Sequence, residues 1–386
     1  MESGPGSLSG LRLANRQRLL EALQDGGEIS QAELARMTGL SAATVSGLVR
    51  TLSSEGELVV TKGVSNGRRS RMVKRSPRRR RYGIGIDAGR THVRVVVGTD
   101  AGDVLAERAT ELPAWHNPQA ALDTIGPLVD AVRADTGIEQ HHISGIAMGI
   151  PAPVDTSTGA VTEAAIHPAW VDVPLQDELH RTFGRPVVVE NDANLGAIAL
   201  GSHPERQGAV VFVKVAQGIG AGVAVDGQLL RGHSGAAGEI GHLTLDPRLA
   251  IVCRCGRRGC VETVSSAESI RSALGTALER DLVLQDVLDL LSADNPVALH
   301  ILEEAGETLG RALGWLAMIL NPAEIALGGP LTAAGDAWLQ PVRRGFRRAV
   351  LPGVASTTHL MLSPLGERTV AVGALLAGLI GARSPD

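Results

Sequence analysis

Three cysteines and one histidine stand close enough in the sequence to hold a metal ion. Cys253, Cys255 and Cys260 form a C-x-C-x4-C pattern, and ten residues separate His242 from the first of them. Three thiolates and one imidazole complete a tetrahedral ligand set for Zn²⁺, whereas the alternative is a loop of free thiols. The odd cysteine count argues against disulfides. We predict a structural zinc site, because four protein ligands leave no open position for catalysis.

A second kind of chemistry is indicated by the uneven distribution of charge. Residues 1–81 hold fifteen Lys or Arg against seven Asp or Glu, a net charge of +8, while the remainder carries −12. A basic module beside an acidic one is typical of a protein whose first part meets a polyanion. We therefore expect double-stranded DNA as a partner of the N-terminal region.

The N-terminal region has the pattern of a helix-turn-helix. Leucines at helical spacing from Leu11 to Leu23 predict a first helix, and Ser30 and Ser41 are placed to cap a second and a third helix, with Gly39 between these two. In this motif the start of the later helix faces the bases. The residues predicted to be exposed there and to bind DNA are Ser41, Ala42, Thr44, Ser46 and Arg50.

A wing is predicted behind the third helix. Two extended runs flank Ser65-Asn66-Gly67, a sequence that favours a tight hairpin turn. From Thr61 to Arg81 there are ten basic residues and no acidic one, so this segment should contact phosphates, with Arg68 and Arg69 compact enough to enter a minor groove. A solvated basic linker is the plainer interpretation of such a run. We place the DNA-binding domain at 1–75 and a basic linker at 76–81.

Length and composition limit the fold class and the number of domains that the chain can have. The protein has 386 residues, 44% hydrophobic residues and 47 glycines, which suits a loop-rich α/β protein with a small and a larger domain. The apolar stretch from Val370 to Ile380 is too short to cross a bilayer, and no export signal begins the chain, so we expect a cytoplasmic protein without a membrane partner.

We expect residues 82–386 to form a second domain. From Gly83 to Ile380 this domain resembles the ROK family of repressors, open reading frames and kinases. Seven motifs occur in the family's order: GIDAGRT at 85–91, GIPAPVD at 149–155, ENDAN at 190–194, GIGAGVAVDGQLLRG at 218–232, GEIGH at 238–242, CRCGRRGCVE at 253–262 and IALGGPL at 325–331. The resemblance implies an actin-like, ribonuclease H-like α/β body in two lobes. The first lobe is expected at about 82–195 with the C-terminal helix 368–386, and the second at about 196–367. The N-terminal DNA-binding domain is similar to that of the family's repressor branch.

The resemblance also implies a sugar site. It places five residues around the sugar and assigns the zinc to the same four residues as above; the five are Asn191, Asp192, Glu239, His242 and Glu262. In the kinases of the family the residue matching Asp192 is the catalytic base. If kinase activity were retained here, Asp192 would accept the proton of the attacking hydroxyl.

Three departures from the family's kinases argue against a bound ATP with Mg²⁺ and against an unchanged sugar site. Arg90 stands where the kinases have the second glycine of D-x-G-G-T, and Gln217 replaces the threonine of G-T-G-I-G. Ile166 stands where kinases commonly have an asparagine, and it cannot hydrogen-bond a sugar. The apolar segment Leu309–Pro322 is predicted to pack in the core or between subunits.

Three functions remain open at this point. The first is a transcriptional regulator, a repressor of carbohydrate genes, that binds operator DNA as a homodimer or dimer of dimers and responds to a sugar. The second is an ATP-dependent sugar kinase with an accessory DNA-binding head, against which Arg90 and Gln217 argue. The third is a regulator that answers a protein partner instead of a sugar.

Overall fold

The computed structural model describes residues 15–16, 18–23, 27–54, 58–65, 68–75, 81–112, 118–155, 158–161, 170–171, 173–202, 208–246, 248 and 251–382. Within these ranges the side chains of residues 64–65, 68–69, 75 and 118 lie outside the description. The chain forms two compact units, Met1–Arg80 and Arg81–Asp386, which we call the head and the body.

The head is a small helical unit with a three-stranded sheet. Residues 15–16 and 18–21 are helical, and the later elements are β1 (Ile29–Ser30), α1 (Gln31–Thr38), α2 (Ala42–Ser54), β2 (Leu58–Ser65) and β3 (Arg68–Arg75). The sheet order is β1-β3-β2, and both pairings are antiparallel. This is the predicted winged helix-turn-helix, in which β2 and β3 make the wing.

The predicted caps set the ends of α1 and α2. The Ser30 hydroxyl accepts a hydrogen bond from the Glu33 amide at 3.3 Å, and the Ser41 hydroxyl accepts one from the Thr44 amide at 3.1 Å. Gly39 takes the left-handed conformation, with φ of 68°, that ends α1 and turns the chain toward α2. The apolar sides of the helices then meet in one core, which contains Leu19, Leu23, Leu34, Val45, Val49, Leu52, Leu58 and Val73.

The first half of the body is a five-stranded sheet with helices against it. Its elements are β4 (Tyr82–Ala88), β5 (His92–Thr99), β6 (Val104–Glu111), α3 (Pro118–Thr136), β7 (Ile143–Ile150), the small hairpin β8 (Val154–Asp155) and β9 (Ala160–Val161), α4 (Leu175–Phe183) and β10 (Val187–Asn191). The order β10-β7-β4-β5-β6 combines two parallel pairings with two antiparallel ones, as expected for a mixed sheet with helical cover.

The second half repeats that strand order. Its elements are α5 (Asp192–Gly201), β11 (Ala209–Val215), β12 (Ile219–Val225), β13 (Gln228–Leu229), α6 (Glu262–Ser265), α7 (Ala267–Leu278), α8 (Leu284–Ser292), α9 (Pro296–Leu320), β14 (Glu324–Gly328), α10 (Asp336–Ala349), α11 (Pro352–Thr357), β15 (His359–Leu362) and α12 (Thr369–Gly381). Its sheet, β13-β12-β11-β14-β15, again joins an antiparallel meander to two parallel strands. Two copies of one sheet pattern give the expected two-lobed body.

Two apolar helices, α5 and α12, link the sheets. A Cβ atom on Gly373 of α12 would collide with the carbonyl oxygen of Leu195 in α5, and a Cβ on Gly222 of β12 would collide with that of Ala193. Glycine is required at both positions because the backbones touch. The buried core between the sheets includes Ala147 of the first sheet and Phe212 of the second, and it fixes the start of α5.

The helix α9 has both a buried and an exposed apolar face. Leu309 and Leu313 are in the body's core, whereas Trp315, Met318 and Ile319 are 46%, 46% and 80% exposed.

Within the described ranges, no helix combines the length and the apolar character needed to cross a membrane.

Candidate functional site

The four predicted metal ligands lie together in the body. One ligand atom from each of His242, Cys253, Cys255 and Cys260 lies within 4.8 Å of the others. His242 Nδ1 is 3.4 Å from Cys253 Sγ, and the sulfurs of Cys255 and Cys260 are 3.7 Å apart. A tetrahedral zinc with Zn–S bonds of about 2.3 Å separates its sulfurs by about 3.8 Å. The cluster therefore has the donor set and the spacing to hold such an ion.

Short backbone contacts shape the loop 253–260 that carries the three cysteines, which we call the metal-binding loop. The Cys253 amide donates to the Arg257 carbonyl at 2.8 Å, and Gly256, at φ of 83°, supplies a left-handed turn between the cysteines. Burial raises the pKa of the Cys253 thiol well above its ordinary value, and its contact with Glu262 adds to that. A metal ion that binds here must therefore displace protons from thiols.

A polar cleft of the body opens beside the metal-binding loop. Three of the predicted sugar residues, Asn191, Asp192 and Glu239, line it. The other two stand behind its wall: Glu262 bonds the cleft residue Arg254 at 2.9 Å, and His242 Nε2 is 3.9 Å from Glu239 Oε2. All five predicted sugar residues are thus brought into one neighbourhood, two of them in indirect positions.

Asn191 also has a structural role at the start of α5. Its side-chain oxygen caps the helix by accepting from the Asn194 amide at 3.1 Å, and its side-chain nitrogen donates to the Ala152 carbonyl at the same distance. The neighbouring Glu190 accepts from the Asn194 side chain at 3.0 Å and pairs with Arg231 at 2.8 Å. These bonds place Asp192 at the first position of α5, facing the cleft.

The cleft also holds three residues whose position there was not predicted. Arg90, expected only to crowd a phosphate turn, lines the cleft and is 8% exposed, and its pKa is lowered to about 10 by burial and then by Arg254. Arg254, which stands between two of the cysteines in the sequence, also lines it. Lys214 lies between Asp192 and Asp87, at 2.9 and 3.3 Å. A single lysine within the apolar strand AVVFVKV was the available signal for this last position.

Several buried polar atoms of the cleft have no protein partner among the described residues. They are Nε and Nη1 of Arg254, which are donors, and Oε1 of Gln217, which is an acceptor. Unpaired polar atoms are costly when buried, so a ligand or water with both donors and acceptors would stabilise this cleft. Gln217, which in the sequence only replaced a threonine of the kinases, thus supplies a polar group of its own.

Ile166, the third predicted departure from the kinases, lies outside the described residues.

The predicted DNA-binding residues of the head differ in their exposure. Ser41, Ala42 and Arg50 are exposed on α2 or just before it, but Thr44 and Ser46, predicted to be exposed, are half-buried. The Thr44 hydroxyl contacts the exposed Ser41 hydroxyl at 2.8 Å. Ala43 and Gly47 are exposed on the same face and were not predicted. Arg68 and Arg69 lie on β3, but their side chains are outside the described part of the chain.

Comparison with known proteins assigns both units. The model of the ROK family matches residues 83–378, and that of a winged helix-turn-helix DNA-binding domain matches residues 12–56. A glucokinase of Halalkalibacterium halodurans is 32% identical over 315 residues, which are 76% of this chain and 93% of that protein. A xylose repressor of Bacillus subtilis is 27% identical over 369 residues, 94% of each chain.

Solved structures agree in fold. A ROK family transcriptional regulator, a homologue of the E. coli MLC protein, matches with a TM-score of 0.75 at 21% identity, over 96% of this chain and 97% of its own. A ROK family glucokinase from Streptomyces griseus, solved with glucose and AMPPNP, matches with a TM-score of 0.68 at 25% identity, over 77% of this chain and 99% of its own. The regulator's fold covers head and body, whereas the kinase's covers about the length of the body.

Proposed function

This chain belongs to the ROK family and carries a winged helix-turn-helix, and from this premise we propose that it is a DNA-binding repressor controlled by a sugar. One observation carries the proposal: the exposed start of α2, with Ser41 and Ala42, occurs on the same chain as a polar cleft lined by Asn191, Asp192 and Glu239. The xylose repressor of Bacillus subtilis aligns over 94% of the chain, so one relative carries both parts.

The head supplies the affinity for DNA in this proposal. Ser41 and Ala42 are small enough for the start of α2 to approach base edges, and Arg50 is exposed on the same helix to meet a phosphate. Arg68 and Arg69 belong to β3 of the wing and are proposed to contact DNA as well. Binding should therefore weaken steeply as salt rises.

The cleft supplies the response to a sugar. Asp192 and Glu239 offer acceptors for sugar hydroxyls, while Arg254 has buried donors without a partner among the described residues. A hydroxyl both donates and accepts, so a sugar can satisfy groups of both kinds. It can change DNA affinity only if it favours one arrangement of the protein over another, because equal affinity for two arrangements shifts neither.

We assign zinc to the cluster of His242 and the three cysteines. A set of three thiolates and one imidazole is typical of structural zinc, and the sulfur spacing of 3.7 Å suits its bond lengths. The metal would fix the loop that carries Arg254 and Glu262 and so preserve the wall of the sugar cleft.

We also propose that the repressor is a dimer. A symmetric dimer presents two heads to the half-sites of a palindromic operator, as in other helix-turn-helix proteins. The exposed face of α9 with Trp315, Met318 and Ile319 is the apolar surface that we assign to the contact between subunits. A dimer of dimers would require a further surface.

The experiment begins with genome-wide mapping of the protein's DNA sites in its host, with and without candidate sugars. The strongest site is then titrated with purified protein in the presence of xylose, glucose or N-acetylglucosamine. We expect one sugar to weaken DNA binding at least about tenfold, a difference of about 1.4 kcal/mol. Failure to bind any site would contradict the proposal, and binding that no sugar changes would favour control by a protein partner.

A sugar kinase is the second candidate, and the glucokinase relative at 32% identity is the observation that favours it. In that function Asp192 would accept the proton of the attacking sugar hydroxyl. The head would then be an accessory. A coupled assay with ATP and the same three sugars tests this directly, since a turnover of about 1 s⁻¹ or more is usual for kinases.

A further inference from the structure

Lys214 is a charged residue in a strand that is otherwise apolar. It is the sixth residue of β11, whose other members are all buried, and its own side chain is 12% exposed. Its Nζ atom lies 2.9 Å from Asp192 Oδ2 and 3.3 Å from Asp87 Oδ1. A lysine is placed in such surroundings only if its charge is paired.

The ion group joins the two halves of the body. Asp87 belongs to β4 of the first sheet, Lys214 to β11 of the second, and Asp192 opens α5 between them. The second oxygen of Asp87 is 3.2 Å from His92 Nε2, and the second oxygen of Asp192 accepts from the Ala193 amide at 2.8 Å. Each carboxylate oxygen therefore already contacts one group of the chain, and it keeps a second lone pair for a further hydrogen-bond donor.

The charges of Asp87 and Lys214 are fixed near neutral pH. Burial alone raises the pKa of Asp87, but Lys214 and His92 outweigh it and hold that pKa well below its usual range. Burial alone lowers the pKa of Lys214, but Asp192 and Asp87 outweigh it and hold that pKa above its usual range. Lys214 is thus a cation and Asp87 an anion at neutral pH.

A magnesium nucleotide does not fit this arrangement. Mg²⁺ in phosphoryl-transfer sites is held by one or two carboxylates together with the phosphates of the substrate. Asp192 and Lys214 line the cleft, Asp87 is buried next to them, and the ammonium of Lys214 already contacts both carboxylates. A divalent cation would have to approach that ammonium closely and would be repelled. Arg90, which is 8% exposed, further fills the same cleft.

We propose that the ammonium of Lys214 occupies permanently the place between Asp87 and Asp192 that a divalent cation with its nucleotide would need. The cleft then binds its sugar without metal or nucleotide, and Asp192 serves as a hydrogen-bond acceptor for the sugar. This inference rests on the proposed function, because it explains why a cleft of kinase type acts as a sensor.

The test uses full-length, zinc-saturated protein, with Mn²⁺ as the probe of the carboxylate pair, followed by electron paramagnetic resonance. We expect no Mn²⁺ site that depends on Asp87 in the unaltered protein. Lys214→Thr should bind Mn²⁺ at least about tenfold more tightly, because it leaves two carboxylates without their cation. The double variant Lys214→Thr/Asp87→Asn should lose that site, and Lys214→Arg, which keeps the charge, should not gain it.

The unaltered protein gives a second measurement that does not depend on how the variants fold. Calorimetry with the magnesium complex of AMPPNP should give no binding, with or without sugar. The inference is overturned if AMPPNP binds, if unaltered protein has a Mn²⁺ site that Asp87→Asn removes, or if folded Lys214→Thr gains none. Failure of the proposed function would appear elsewhere, as DNA binding that is absent or unaffected by every sugar.

Discussion

Cys253 Sγ lies 3.1 Å from Glu262 Oε1, and this contact connects the proposed zinc ligands to the wall of the proposed sugar cleft. The other oxygen of Glu262 accepts from Arg254 Nη2 at 2.9 Å, and Arg254 lines the cleft. One carboxylate therefore contacts a metal ligand on one side and a cleft residue on the other. Disturbance of either site should be measurable at the other.

The first prediction concerns removal of a metal ligand. Cys255→Ser should release the metal, lower the melting temperature by about 5 °C or more and weaken sugar binding, because the loop that holds Arg254 loses its anchor. Metal content, thermal unfolding and sugar calorimetry measure the three effects. Arg257→Gln, on the exposed part of the same loop, should change none of them. A Cys255→Ser protein that keeps one equivalent of metal would show that the cluster is not the metal site.

The second prediction compares two glycines of the cleft. A Cβ on Gly218 would collide with Arg254 Nη2 and come within 3.0 Å of Glu262 Oε2, whereas a Cβ on Gly220 would meet only Ala193, at 3.6 Å. Gly218→Ala should therefore displace the Arg254–Glu262 pair and weaken sugar binding about tenfold, or about 1.4 kcal/mol. Gly220→Ala should bind sugar nearly as the unaltered protein does. Equal affinities in the two variants would remove Arg254 and Glu262 from the sugar site.

The third prediction concerns the head. Arg50 is exposed on α2, so Arg50→Ala should weaken operator binding and reduce the slope of log affinity against log salt by about 1, as for one lost phosphate contact. Fluorescence anisotropy at several salt concentrations measures both. Arg280→Ala, an exposed change in the body away from α9, is the control. An unchanged slope would exclude Arg50 from the DNA interface.

The fourth prediction concerns the subunit contact. Ile319→Glu places a charge on the exposed apolar face of α9 and should shift dimers toward monomers in analytical ultracentrifugation, with weaker operator binding as a consequence. Val297→Glu, at the start of the same helix, alters a residue that is 37% exposed and should leave the assembly unchanged. If both variants sediment as the unaltered protein does, the contact lies on another surface.

The fifth prediction is a pH dependence. The pKa of Asp87 is lower in the folded protein than its ordinary value of 3.8, so its stabilising effect is present above that value and is lost as the pH falls through the folded value. The melting-temperature difference between unaltered protein and Asp87→Asn should be constant from about pH 5 to 9 and shrink below about pH 4. Asp246, whose partner Arg248 is exposed to solvent, serves as a control whose removal should have little effect at any pH. A difference that grows on acidification would contradict the ion group.

Local patterns in the sequence were sufficient for much of this structure. Ser30, Gly39 and Ser41 predicted the ends of α1 and α2 because caps and left-handed turns depend on neighbouring residues. The spacing of Cys253, Cys255 and Cys260 predicted their cluster because only five other residues lie between the first and the last of them, in one tight loop. The order of motifs indicated the two-lobed body as a whole.

Contacts between distant elements were not predictable in the same way. Lys214 meets Asp87 across 127 positions of sequence, and only the folded pair of sheets brings them together. Arg254 has cysteines on both sides in the sequence, yet its guanidinium turns toward Glu262 and the cleft. In each case the side-chain direction depends on a partner that periodicity does not reveal.

The pairing of Lys214 with Asp87 and Asp192 has a physiological consequence. The cation between these carboxylates is part of the polypeptide, so it is present in every copy of the protein at all times. Its occupancy does not vary with the cell's magnesium or ATP. A gene switch built on this cleft would therefore report the abundance of a nutrient in the same way in starved and in energy-rich cells.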